Sequence, residues 1–168
     1  MISQLYEDYE VNRLPIDVFE LANKMEIILI PYSNCSLEKQ VQLLQASDEG
    51  MSCFDHTRGN RFVIYYNDNN RNKQRIRFTI MHEIGHIVLE HKESCEQTES
   101  EADFFARNAL APLPIIISNK IYDLEKIVST FDISYSCAGN VSRTLATRLE
   151  YGYDELLDYE LTLVQQFK

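Results

Sequence analysis

His82-Glu83-Ile84-Gly85-His86 sets two imidazoles four residues apart, with a carboxylate directly after the first. On an α-helix four residues advance about 400°, so both rings leave one face, about 40° apart and one turn above the other. That spacing offers two nitrogen ligands to one zinc ion. It also sets Glu83 beside them as general base for the water that the metal activates. The chemistry implied is hydrolysis of a peptide bond. Two histidines leave a zinc site incomplete, and a third protein ligand must come from elsewhere.

His91 is the nearest candidate by residue type, but it lies about 140° around the helix from His86. The helix would have to break to bring it back, and Leu89 stands where such a turn uses a glycine. His91 is therefore read as a solvated helix-end residue. The carboxylates Glu90, Glu93, Glu96, Glu99, Glu101 and Asp103 are the alternative. The spacing predicts a helix from about Thr98 to Ala111, with Ala102, Phe105, Ala106, Ala109 and Leu110 forming an amphipathic stripe. With Ala102 at zero, the stripe centres at about 10°, Glu99 falls at about 60°, Asp103 at about 100° and Glu101 at about 260°. Glu99 borders the buried face and is the preferred ligand, with Glu101 as runner-up. Asp103 lies on the side of Glu99 and can take a hydrogen bond from the far nitrogen of a ligating imidazole. Glu99 with Asp103 resembles the E-x-x-x-D arrangement of gluzincins.

The elements that must position these residues are legible in outline. The site helix is expected from about Asn72 to Glu90, its middle so apolar that His82, Glu83 and His86 would be costly to bury unless paired or ligated. Upstream, residues 3–24 carry helical spacing interrupted by Pro15, and Asp17 is placed at the first turn of the main part. Ile27–Ile30 reads as a short buried strand stopped by Pro31, and Ser36 as the N-cap of a helix to about Gln45, with Leu37, Val41 and Leu44 on one face. Met51–Asp55 and Arg61–Tyr66 read as a hairpin around a polar turn, His56–Asn60, and Asn67–Asn70 breaks it. If Arg61–Tyr66 is a sheet edge, it can hold an extended peptide by strand addition. Tyr65, Tyr66 and His56 are equal candidates for stabilising an oxyanion. Pro112-Leu113-Pro114 ends the second helix and starts a short apolar one.

With 168 residues, no apolar run of bilayer length and no signal-peptide pattern, the chain reads as a cytoplasmic protein without a membrane role. Four dispersed cysteines are read as free thiols. A net charge of −10 argues against direct DNA binding.

The stretch Arg77-Phe78-Thr79-Ile80-Met81-His82-Glu83-Ile84-Gly85-His86 resembles the R-F-T-x-A-H-E-x-G-H block of the ImmA/IrrE metallopeptidases. Glu99–Ala106 is similar to that family's E-x-x-A-N-x-F-A, with Asp103 in place of the usual Asn, and Leu110-Ala111-Pro112 to its L-M-P. Asp17–Ala22 is similar to its opening helix. The likeness runs from about residue 10 to 150. It implies an α+β fold: a zincin-like core over residues 1–118, with a short mixed sheet packed on the HExxH helix. Helix-turn-helix-like helices would follow over 119–150, then a tail over 151–168. It implies His82, His86 and Glu99 as zinc ligands, Glu83 as base, and a helix-turn-helix repressor as protein substrate, cleaved in an anti-repressor role. Two rivals stand beside this: a zinc-containing regulatory module that binds a repressor or DNA without hydrolysis, and a toxin–antitoxin partner.

Overall fold

The computed structural model describes residues 1–69, 72–152 and 155–168. Along the chain run α1 (Ile2–Asp8), α2 (Val18–Lys24), β1 (Ile28–Pro31), α3 (Leu37–Ala46), β2 (Gly50–Asp55) and β3 (Arg61–Tyr66). They are followed by α4 (Lys73–Val88), α5 (Glu96–Leu110), α6 (Leu113–Ser118), α7 (Leu124–Phe131), α8 (Tyr135–Glu150) and α9 (Asp158–Gln166). The architecture is mixed α+β, with one three-stranded sheet among the described residues. The chain divides into two compact units, Val18–Ala106 and Met1–Asp17 with Arg107–Lys168, and α5 passes from the first into the second.

In the first unit the strand order is β1-β3-β2. β1 runs parallel to β3, with Ile28 opposite Val63. β2 runs antiparallel to it, with Gly50 opposite Tyr66 and Asp55 opposite Arg61, so the expected hairpin is present. β3 is therefore the central strand. Arg61–Tyr66 spends its backbone groups on both neighbours and has no edge to lend a peptide; β2 has one. Pro31 closes β1 rather than standing outside it, since an edge strand loses little when one donor is missing. Ile28, Leu29 and Ile30 are only half-buried, as befits an edge.

α4 packs on β2 and β3 and buries Ile80, Met81 and Ile84 completely. Asn72 caps it, its side chain accepting from the amides of Gln74 at 3.0 Å and Arg75 at 3.2 Å. The Asn67–Asn70 break before it is described only to Asn69; Asn70 lies outside the described residues. Ser36 caps α3 through the Lys39 amide, yet Leu37, Val41 and Leu44 are 81%, 55% and 46% exposed. Only Leu43 of that helix reaches the core, so the apolar face marked by spacing is not the buried one. The single interrupted helix expected over residues 3–24 is instead two short helices, with Asp17 directly before the second. Between them the chain turns at Glu10 (φ 52°), and Pro15, without an amide donor, lies in the irregular stretch.

In the second unit α6 buries Ile115, Ile116 and Ile117. α7 and α8 pack together across a short turn where Asp132 is left-handed (φ 49°) and Ser134 caps α8 through the Cys137 amide at 3.2 Å. α9 lies against α1 and α6 and buries Leu163 and Val164. The Tyr6 hydroxyl donates to the Ala109 carbonyl. No helix among the described residues is long and apolar enough to cross a membrane.

Candidate metal centre

His82 and His86 stand one turn apart on α4, with side chains 15% and 14% exposed. Two close approaches set their surroundings. A Cβ on Gly85 would meet the Phe105 ring at 2.9 Å and the Ala102 Cα at 3.4 Å, so the missing side chain is what lets α5 come this near. A Cβ on Gly50 would meet the Thr79 methyl at 2.6 Å, which brings the start of β2 against α4. With Ala102 held against Gly85, Glu99 and Asp103 reach the histidines.

His82 Nε2 lies 3.0 Å from His86 Nε2 and 3.2 Å from Glu99 Oε2, and His86 Nε2 lies 3.6 Å from Glu99 Oε1. Ligand atoms about 2.0–2.2 Å from a tetrahedral zinc stand roughly 3.3–3.6 Å apart, and the separations here, 3.0 to 3.6 Å, come within a few tenths of an ångström of that spacing. His82 Nδ1 is 2.9 Å from Asp103 Oδ1. A carboxylate only accepts, so a hydrogen on Nδ1 satisfies this contact and leaves Nε2 able to present its lone pair to a cation shared with His86 and Glu99. Residues so arranged fit a metal ion: His82, His86 and Glu99 each offer one ligand atom, all within 4.8 Å of one another.

The electrostatics favour the same forms. Burial lowers the pKa of His86, and the nearby His82 and His91 rings act in the same direction against Glu83 and Glu99, which favours the neutral imidazole. Burial alone would raise the Glu99 carboxyl. The Ser94 hydroxyl, donating to Oε1 at 2.7 Å, and the two imidazoles outweigh it and hold Glu99 below the usual carboxylate range.

Glu83 is 7% exposed and lines the same cleft. It makes no hydrogen bond or ion pair to another of the described residues, so its carboxylate is left for water or substrate. The buried Tyr32 hydroxyl, pushed up to about 12 by its burial and then by the charges of Glu83, Asp48 and Cys35, stays protonated and donates to the Ser47 carbonyl at 3.1 Å. Gly50, Met51 and Ser52 of the β2 edge border the cleft. Tyr65, Tyr66 and His56, the oxyanion candidates, are not among its lining residues.

Two placements differ from the expectations. His91 is not solvated: its side chain is 8% exposed, 2.9 Å from His86 Nδ1 and 3.1 Å from Glu101 Oε2. The helix does break, without glycine, at left-handed Glu90 (φ 56°), and the His91 amide donates to the His86 carbonyl at 3.0 Å. Glu101, the runner-up ligand, turns to His91 instead of to the cluster. Ser94 carried no signal in the sequence, because its role depends on where the loop closes over Glu99.

Two helical histidines converging on a glutamate of the next helix, beside a buried carboxylate, form the kind of site a metallopeptidase uses. Residues 12–140 match the peptidase M78 family, described as the IrrE N-terminal-like domain. The chain belongs to this ImmA/IrrE family of metallopeptidases. No curated protein and no solved structure matches it.

Proposed function

We propose that this chain is a zinc-dependent endopeptidase with a zincin-like core, its metal held by His82, His86 and Glu99. The convergence of those three side chains beside Glu83, which has no hydrogen-bond or ion-pair partner among the described residues, carries the reading. Bound zinc supplies Lewis acidity, which makes water more acidic and a carbonyl more electrophilic. Glu83 takes the proton of the attacking water and delivers it to the departing amine. Asp103 fixes the His82 tautomer and ring orientation. The β2 edge, which borders the cleft through Gly50–Ser52, receives the substrate as an added strand. Membership of the family supports a helix-turn-helix repressor as substrate, cleaved so that its genes are released. The four free thiols fit a reducing, cytoplasmic setting.

The test pairs wild type with Glu83→Gln, both loaded with zinc, against purified helix-turn-helix repressors, starting with any encoded beside the chain. Wild type is expected to fragment its substrate among them. Glu83→Gln is expected to bind zinc equally and cleave about 10²–10⁴-fold more slowly. Full cleavage by the variant would remove Glu83 from the role of base. Zinc binding without cleavage by wild type would favour the non-proteolytic regulatory module.

A further inference from the structure

We propose that His91 and Glu101 are positioning residues for His86, a two-link relay that presents the His86 Nε2 lone pair to the metal. The inference rests on His86 being a metal ligand. His86 Nδ1 and His91 Nδ1 lie 2.9 Å apart, so one hydrogen sits between two nitrogens and only one ring donates it. The far nitrogen of His91 decides which. His91 Nε2 lies 3.1 Å from Glu101 Oε2, a carboxylate oxygen that accepts and does not donate. A hydrogen on His91 Nε2 satisfies that contact and leaves His91 Nδ1 as an acceptor. His86 must then donate from Nδ1, and its lone pair falls on Nε2, the nitrogen that meets His82 and Glu99.

The reverse direction puts a His91 lone pair against the Glu101 carboxylate and a hydrogen on His86 Nε2, aimed at His82 Nε2. It fails at the Glu101 end, where two acceptors would face each other, and it closes His86 Nε2 to a metal. The end of the relay is anchored: Gln97 Nε2 donates to the other oxygen of Glu101 at 2.8 Å. The His91 side chain is 8% exposed, so water competes poorly for its nitrogens. The two candidate ligands are thus oriented differently. His82 meets a carboxylate directly through Asp103, whereas His86 reaches one through a second imidazole.

The experiment measures zinc affinity of the full chain by chelator competition, together with histidine ¹⁵N spectra of the zinc-loaded protein. Wild type is expected to show His86 carrying hydrogen on Nδ1 and His91 on Nε2. His91→Leu is expected to bind zinc about 10–100-fold more weakly, the usual cost of losing such a partner. His91→Gln, whose amide oxygen still accepts, should recover part of that loss. Glu101→Gln, which keeps an acceptor at the end of the relay, should cost less than His91→Leu. Unchanged zinc affinity in folded His91→Leu would overturn the relay. A His91 ring protonated on both nitrogens, or on Nδ1 alone, in the wild-type spectrum would also overturn it, whatever the variants do. Zinc affinity unaffected by His86→Ala would instead overturn His86 as a ligand, an outcome that separates the two readings.

Discussion

Each of the two compact units carries a polar cluster, and the clusters are built on opposite plans. In the second unit Arg148 and Glu160 meet as a fork: Nη1 donates to Oε1 at 2.6 Å and Nη2 to Oε2 at 2.8 Å. The Leu157 amide adds a third bond to Glu160 at 3.0 Å, and the Glu155 carbonyl accepts from Nη2 at 3.2 Å. Every acceptor there has a donor, and the charges cancel within side chains 16% and 7% exposed. In the first unit two imidazole nitrogens and a carboxylate point at one another, while the far nitrogens of the two rings meet Asp103 and His91. Apart from the Ser94 hydroxyl on Glu99, these acceptors face one another, an arrangement that a cation would favour. A closed cluster is an anchor, and an open one is a binding site.

If that distinction holds, removing one partner from the closed cluster costs stability, whereas the open one loses ligand affinity. Arg148→Ala leaves a buried carboxylate unpaired and is expected to destabilise the protein by about 3–5 kcal/mol, measured by urea unfolding. The zinc affinity of the folded fraction should not move. Asp103→Ala is expected to weaken zinc binding about 10–100-fold, because His82 loses the group that fixes its tautomer. Its cost in stability should be far smaller, since the Asp103 side chain is 48% exposed. Equal stability losses in the two variants would collapse the comparison.

The sequence exposed the open cluster far better than the closed one. His82 and His86 are fixed by helical period alone, and the stripe through Ala102, Phe105 and Ala106 was enough to aim Glu99 and Asp103 toward a neighbouring helix. Both the hairpin and the cap at Ser36 follow from local chemistry that acts within a few residues. What local chemistry does not reach is tertiary order. Which strand lies in the middle of the sheet depends on β1 pairing with β3 across more than thirty residues, so the open edge fell to β2 rather than β3. His91 was misplaced because a left-handed Glu90 breaks the helix where no glycine announces it. The Arg148–Glu160 fork joins two helices through a stretch with no readable pattern, and charge alone does not say that a carboxylate will be buried.

The mildest effect expected of the comparison is in acid. Burial alone would raise the Glu160 carboxyl, but the Arg148 fork and the Leu157 amide more than offset it and hold Glu160 below the usual carboxylate range. The bond to Glu160 in turn raises Arg148, against the opposing effect of burial, so the guanidinium stays charged throughout. A carboxyl with a folded value below the ordinary 4.5 takes its proton first in the unfolded chain. The pair's contribution is therefore whole above about pH 4.5 and is lost as pH falls through the folded value. Urea unfolding of metal-free protein between pH 6 and pH 3 reads this directly. Wild type should lose stability more steeply with acid than Glu160→Gln, which has no proton to gain at that position. Parallel slopes would mean that the fork holds its charge no more firmly folded than unfolded. The closed cluster would then be an anchor by packing rather than by charge.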